Sequence, residues 1–231
     1  MIKTSIKQLF VASISLFLLS CGSDDNTKPS NVSTEPKDAE GYLYKTVVIE
    51  NKTWFSENLK TTKYKNGNAI DNVTIASEWG TKTTGAFRES RNPQKYGYLY
   101  NYAAITDARG ICPNGWHVAT EDDFLLLIKA AGGGANGGMN LKTNTSDWSF
   151  PNENHVNKTN SDSLGFTALP NGFVTLDGTI FQVGNTASFW ISTPPNSSQF
   201  TEAYDLYSSQ KSVQPINANK IVGLSCRRVK D

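Results

Sequence analysis

A chain of 231 residues, 38% of them hydrophobic and 11% aromatic, is long enough for one well-cored domain rather than two. Its 22 basic and 21 acidic side chains give a formal net charge of +1, so no basic field exists to attract nucleic acid. Abundant Gly, Asn, Ser and Thr, with few long periodic segments, predict a loop-rich fold.

The first twenty residues read as an export signal. Lys3 and Lys7 make a positive start, and an apolar run follows from Leu9 to Leu19, broken by Ser13 and Ser15. That run is about half the ~20 residues a membrane-spanning helix needs. It ends in Leu18-Leu19-Ser20-Cys21, which resembles the lipobox of bacterial lipoproteins. The resemblance implies that Cys21 carries diacylglycerol and palmitate-type chains and becomes the mature N-terminus. Two or three chains hold a protein stably where one is marginal. Removing residues 1–20 takes Lys3 and Lys7 from the basic side chains and none of the acids, leaving a net charge of −1. Residues 21–40 are expected to be a disordered tether, since Asp, Ser, Asn and Pro bury little apolar surface. Within it, Gly22-Ser23-Asp24-Asp25 resembles the surface-export signals of Bacteroidota-type lipoproteins, which implies an outer-membrane anchor facing the cell exterior. The folded domain is expected over 41–231.

Taken in order, Tyr42 to Ile49 is rich in β-branched and aromatic residues, Asn51-Lys52 reads as a turn, and Trp54-Phe55 continues a hairpin. Residues 60–95 carry little periodicity and predict loop with short strands. Tyr96, Tyr98, Tyr100 and Tyr102 alternate, which on one strand puts four rings on one face. Such a row packs in a core more often than it stacks on sugars. A helix is predicted over 120–131: Thr120 is the N-cap with Asp123 at N3, and Gly132 is the stop. Phe124, Leu127, Ile128 and Ala131 make its apolar face. The glycine-rich run at 132–138 lacks the Gly-Lys-Ser/Thr of a phosphate loop and reads as a flexible connection. Short strands are predicted at 165–169, 172–176, 179–183, 187–192, 202–207 and 221–229, with Asp177-Gly178 as a hairpin turn. The class is α+β: one or two helices on irregular antiparallel strands.

Beyond Cys21 only Cys112 and Cys226 remain. In an exported chain an isolated pair reads as a disulfide, and the rival reading is two buried thiols. Two distant cysteines and two histidines make a poor zinc set.

Several blocks resemble the Fibrobacter succinogenes major paralogous (FISUMP) domain. Trp54-Phe55-Ser56-Glu57-Asn58-Leu59 is similar to its W-M-A-E-N-L signature, and Tyr96-Gly97-Tyr98-Leu99-Tyr100-Asn101-Tyr102 to its Y-G-x-L-Y-N-W block. Cys112-Pro113-Asn114-Gly115-Trp116-His117-Val118-Ala119-Thr120 resembles C-P-x-G-W-x-x-P-T, with Ala119 in place of proline. Gly165 to Gly172, Phe189 to Thr193 and Gly223 to Arg227 continue the blocks in order. The resemblance implies an exported domain without an assigned activity. A cysteine before a helix, joined to one near the last strand, is also similar to the C-type-lectin-like fold. The Glu-Pro-Asn, Gln-Pro-Asp and Trp-Asn-Asp triplets of calcium-dependent lectins are absent, so no calcium, other metal or cofactor is expected.

No catalytic constellation emerges. His117 beside a helix N-cap reads as locally satisfied; Glu153, His155 and Asp162 could make a weak metal site but read better as a solvated loop. Asp162-Ser163-Leu164 resembles a three-residue O-glycosylation motif, a pattern short enough to arise by chance. The expectation is a non-enzymatic surface lipoprotein that binds a glycan or a protein. The alternative is a structural or assembly component of the envelope. Candidate ligand-binding residues are Trp79, Trp148, Glu153, His155 and Tyr207, with at least one of Trp79 and Trp148 expected at the surface. Trp54, Trp116 and Trp190 are expected in the core.

Overall fold

The computed structural model describes residues 35–149, 160–193 and 197–231, and residues 35–231 form one unit. Strands β1 (Thr46–Ile49) and β2 (Lys52–Phe55) make the predicted hairpin, turned through Glu50 at φ 52°. Then come β3 (Asp71–Asn72), α1 (Ala76–Trp79), β4 (Ala86–Glu89), α2 (Pro93–Tyr96), β5 (Tyr98–Tyr100) and α3 (Tyr102–Thr106). Strand β6 (Trp116–Val118) leads into α4 (Glu121–Ala130) and the short α5 (Gly137–Leu141). The rest is β7 (Phe173–Val174), β8 (Ile180–Phe181), β9 (Thr186–Trp190), β10 (Phe200–Tyr207), β11 (Val213–Asn219) and β12 (Arg228–Lys230). The class is α+β; among the described residues the paired strands run antiparallel except β3 and β4, with isolated parallel bridges at Lys142–Ala168, Gly172–Ala187 and Phe189–Ser225.

The last strand closes the domain on its first hairpin. In the sheet ordered β1-β2-β12-β6, Val229 sits opposite Trp54 and Arg228 opposite Val118. One face of this sheet carries Trp54 into a cluster with Phe124, Phe166 and Phe189. The other carries Phe55 into a cluster with Tyr44, Tyr100 and Trp190. Between them lies Arg227, fully buried. Its guanidinium donates to Asn58 Oδ1 (2.8 Å) and to the carbonyls of Phe55 (2.9 Å), Phe166 (2.5 Å) and Thr167 (2.8 Å). Burial pushes its pKa down to about 9, and four acceptors with the Phe166 ring at 4.2 Å stand in for water.

The long helix follows its sequence signals closely. Thr120 Oγ1 accepts from the Asp123 N–H, and Asp123 accepts from the Thr120 N–H, a reciprocal capping box. Phe124, Leu127 and Ala131 are buried and Ile128 half-buried, as the periodicity predicts. The Asp177-Gly178 turn also forms, with Gly178 at φ 82° and Val174 opposite Ile180.

Other expectations are corrected. The four tyrosines do not share a strand: Tyr96 ends α2, Tyr98 and Tyr100 lie on β5, and Tyr102 opens α3. Asn101 breaks the alternation by capping α3, its side chain accepting from the Ala104 N–H. Their rings do pack inward, as the packing reading holds. The glycine run ends in α5, where a Cβ on Gly138 would lie 2.6 Å from the Ser212 carbonyl. Glycine there permits close backbone approach as well as flexibility. Strand β11 escapes the sequence reading because Pro215 interrupts it; β11 is a sheet edge, where a missing N–H is tolerated.

The expected Cys112–Cys226 bridge is also absent, and both cysteines are free thiols. Both pack on one core cluster. Burial pushes both thiols up, Cys226 to about 12, which keeps them protonated in the folded dithiol form.

Candidate functional site

The hairpin β1–β2 and helix α4 enclose a groove of about 380 Å³, lined by residues 49–52, Trp54, Leu126, Leu127, Lys129 and Ala130. Its geometry is set by Asp123, whose side chain is 3% exposed. Asp123 Oδ1 pairs with Lys52 Nζ at 3.1 Å, pinning the helix to the hairpin. Asp123 Oδ2 lies 2.8 Å from His117 Nε2, and the other ring nitrogen of His117 meets Asp231 at 2.7 Å. Burial opposes ionisation of Asp123, but the Thr120 N–H, His117 and Lys52 overcome it and hold the carboxyl down at about 2. His117 therefore has the local role the sequence suggests, between two carboxylates.

The groove floor is Ile49, Trp54 and Leu127, all buried, while Leu126 is 48% exposed on the wall. Leu125, at 51%, is also exposed on α4 but does not line the groove. Glu50, Lys52 and Lys129 supply polar groups at the rim. An apolar floor with a few polar groups suits a ligand with its own apolar side chains.

The tryptophans chosen from the sequence are elsewhere. Trp79 is buried, packs with Val73, Ala86, Leu99 and Val174, and donates from Nε1 to the Ile221 carbonyl at 2.8 Å. Trp148 is buried too, its Nε1 3.1 Å from Thr143 Oγ1 and Lys142 Nζ over its ring at 5.2 Å. The expectation that one of the two is solvent-accessible is overturned. Polar loops around a tryptophan need not expose it, because each indole finds its acceptor in the loop backbone or side chains and the ring plugs the core. Trp54 and Trp190 are core as expected, and Trp116 is half-buried against Phe55 at 4.7 Å.

Tyr207, at the end of β10, is half-buried and donates to Asp205 Oδ2 at 2.6 Å. It lines none of the grooves described above. Glu153 and His155 lie outside the described residues. Ser163 is exposed. Lys142 is a further feature absent from the sequence reading: fully buried, it donates to the Tyr207 and Gln210 carbonyls, and burial pushes its ammonium down to about 8.

Leu126 and its neighbours were missed although a signal existed. Leu125-Leu126-Leu127 are consecutive, and successive helix residues point about 100° apart, so they cannot all enter one core. Among the described residues no group of three His, Cys, Asp or Glu could hold a metal ion, and no helix is long and apolar enough to cross a membrane.

Small antiparallel sheets closed by the final strand, with one capped helix leaning on the first hairpin, define an α+β domain with a groove on one side. The chain belongs to the Fibrobacter succinogenes major domain family, whose profile matches residues 47–230. No curated protein and no solved structure gives a match.

Proposed function

We propose that this protein is a lipid-anchored, cell-surface binding module without catalytic activity, and that the groove between β1–β2 and α4 receives a protein ligand. The observation that carries this is the half-exposed Leu126 over a floor of buried Ile49, Trp54 and Leu127. Aliphatic walls favour protein side chains over sugars, which stack on exposed aromatic faces. The anchor rests on Cys21 at the end of the apolar run, and the outward orientation on Asp24-Asp25. Two finer structural readings belong to the same proposal. Cys112 and Cys226, sharing one core cluster, bridge once exported to an oxidising compartment. The placement of Cys112 before α4 and of Cys226 near β12 supports a C-type-lectin-like description of the fold.

The test is a photo-crosslinking amino acid at position 126 in living cells, with Ser77 as an exposed control position. A discrete protein adduct from 126 alone is expected. Adducts of equal yield from both positions, or glycan-array binding that survives Leu126→Asp, would overturn the groove assignment.

A further inference from the structure

A second cavity, of about 200 Å³, lies close to where the chain enters the domain. Its lining includes Lys37, Lys63 and Lys65, together with Asp38 and Ile111. All three lysines are exposed, and none takes part in an ion pair among the described residues. Asp38 and Glu40 are held by neutral donors rather than by the lysines, and keep their negative charge. Asp38 accepts from the Tyr44 hydroxyl and from the Glu40 and Tyr42 N–H groups. Glu40 accepts from Thr61 and Thr62. Behind the wall sits Arg228, with no exposed surface, donating from Nη2 to the Ile111 carbonyl. Its Nε and Nη1 find no oxygen acceptor among the described residues. Set against Asp38 and Glu40, the three ammonium groups and the buried guanidinium still leave positive charge in excess around the cavity, in a chain whose mature net charge is −1.

We propose that the Lys37–Lys63–Lys65 cavity binds the phosphate of anionic lipid headgroups and lays this face of the domain on the membrane that holds its anchor. The cavity is smaller than the ~300–1,000 Å³ usual for drug-sized ligands, which suits one headgroup phosphate rather than an oligosaccharide. Lys37 lies sixteen residues after Cys21, so the chain can reach no further than about 55 Å from the lipid. The inference rests on the anchor reading for its choice of a membrane over free phosphate, while the cavity itself does not depend on it. With the groove facing a protein ligand, the headgroup contact would fix which side of the domain stays available.

The experiment is vesicle flotation with the mature chain carrying Cys21→Ser, so that no acyl chain contributes. Binding to vesicles containing phosphatidylglycerol and not to pure phosphatidylcholine is expected. A lysine near an anionic surface is worth about a factor of five, so Lys37→Gln/Lys63→Gln/Lys65→Gln should weaken binding roughly a hundredfold at low salt. Lys82→Gln/Arg91→Gln/Lys211→Gln, with the same loss of charge, should change it severalfold at most. Equal loss in both triple variants, or equal flotation with neutral vesicles, would overturn the site. Protection by inorganic phosphate without vesicle binding would overturn the membrane assignment. Acyl labelling that tags Cys21→Ser as strongly as the wild type would sink the anchor and leave a positive flotation result standing.

Discussion

Asp123 joins the helix cap to the groove, and replacing it with Asn isolates what its charge contributes. Asparagine can still accept from the Thr120 N–H, so the loss falls on the contacts to Lys52 (3.1 Å) and His117 (2.8 Å). The carboxyl is lowered from 3.8 to about 2 in the folded chain. At 1.36 kcal/mol per unit this corresponds to roughly 2.5 kcal/mol, and the 3% exposure of the side chain calls for little screening discount. A depressed carboxylate pKa stabilises the fold above the unfolded value near 4, and that stabilisation disappears as pH falls from 4 through 2. Urea unfolding followed by tryptophan fluorescence should show Asp123→Asn about 2–3 kcal/mol less stable at pH 7. The gap should close progressively between pH 4 and pH 2. A gap independent of pH would mean that packing, and not the ionised carboxylate, is what Asp123 supplies.

Trp148→Ala should cost about 3–5 kcal/mol of stability and leave ligand capture at position 126 unchanged, since the indole is core; a near-neutral melt with lost capture would restore it as a site residue. Gly138→Ala should destabilise by about 1–3 kcal/mol, because its methyl would lie 2.6 Å from the Ser212 carbonyl, whereas Gly134→Ala, with nothing within 4 Å, should be almost silent. Both effects are read from thermal melts, and equal melting temperatures would refute the close approach. Denatured, unreduced protein isolated from cells should show no thiol reactive to Ellman's reagent if Cys112 and Cys226 bridge on export, and Cys112→Ser should then cost about 2–5 kcal/mol. Two reactive thiols per chain would establish that the dithiol form persists outside the cytoplasm.

What the sequence made legible was local. The capping residues Thr120 and Asp123, the apolar spacing of α4 and the Asp177-Gly178 turn act within a few positions, and each appears in the fold. The ordered family blocks were equally readable, since they need only the sequence, and the match over 47–230 agrees with them. Long-range pairings were not readable. Lys52 and Asp123 pair across 71 positions of chain; alone, Lys52 looks like an ordinary surface charge and Asp123 like a helix cap and nothing more. Arg227 looks exposed by composition, yet its acceptors converge from Phe55, Asn58, Phe166 and Thr167. Trp79 and Trp148 depart from expectation because polar sequence neighbours do not determine where the ring itself packs. The Ile221 carbonyl and the Thr143 hydroxyl, which satisfy the two indoles, become visible only once the chain is folded.

The most direct test of the binding-module account is a pair of isotherms against the partner captured at position 126, for the wild type and for Leu126→Asp. Leu126 is half-exposed, so a charge there should leave the melting temperature within a degree or two while disrupting an apolar contact. The account predicts at least about tenfold weaker binding for Leu126→Asp at unchanged stability, the scale of losing a central interface residue. Indistinguishable isotherms would contradict it.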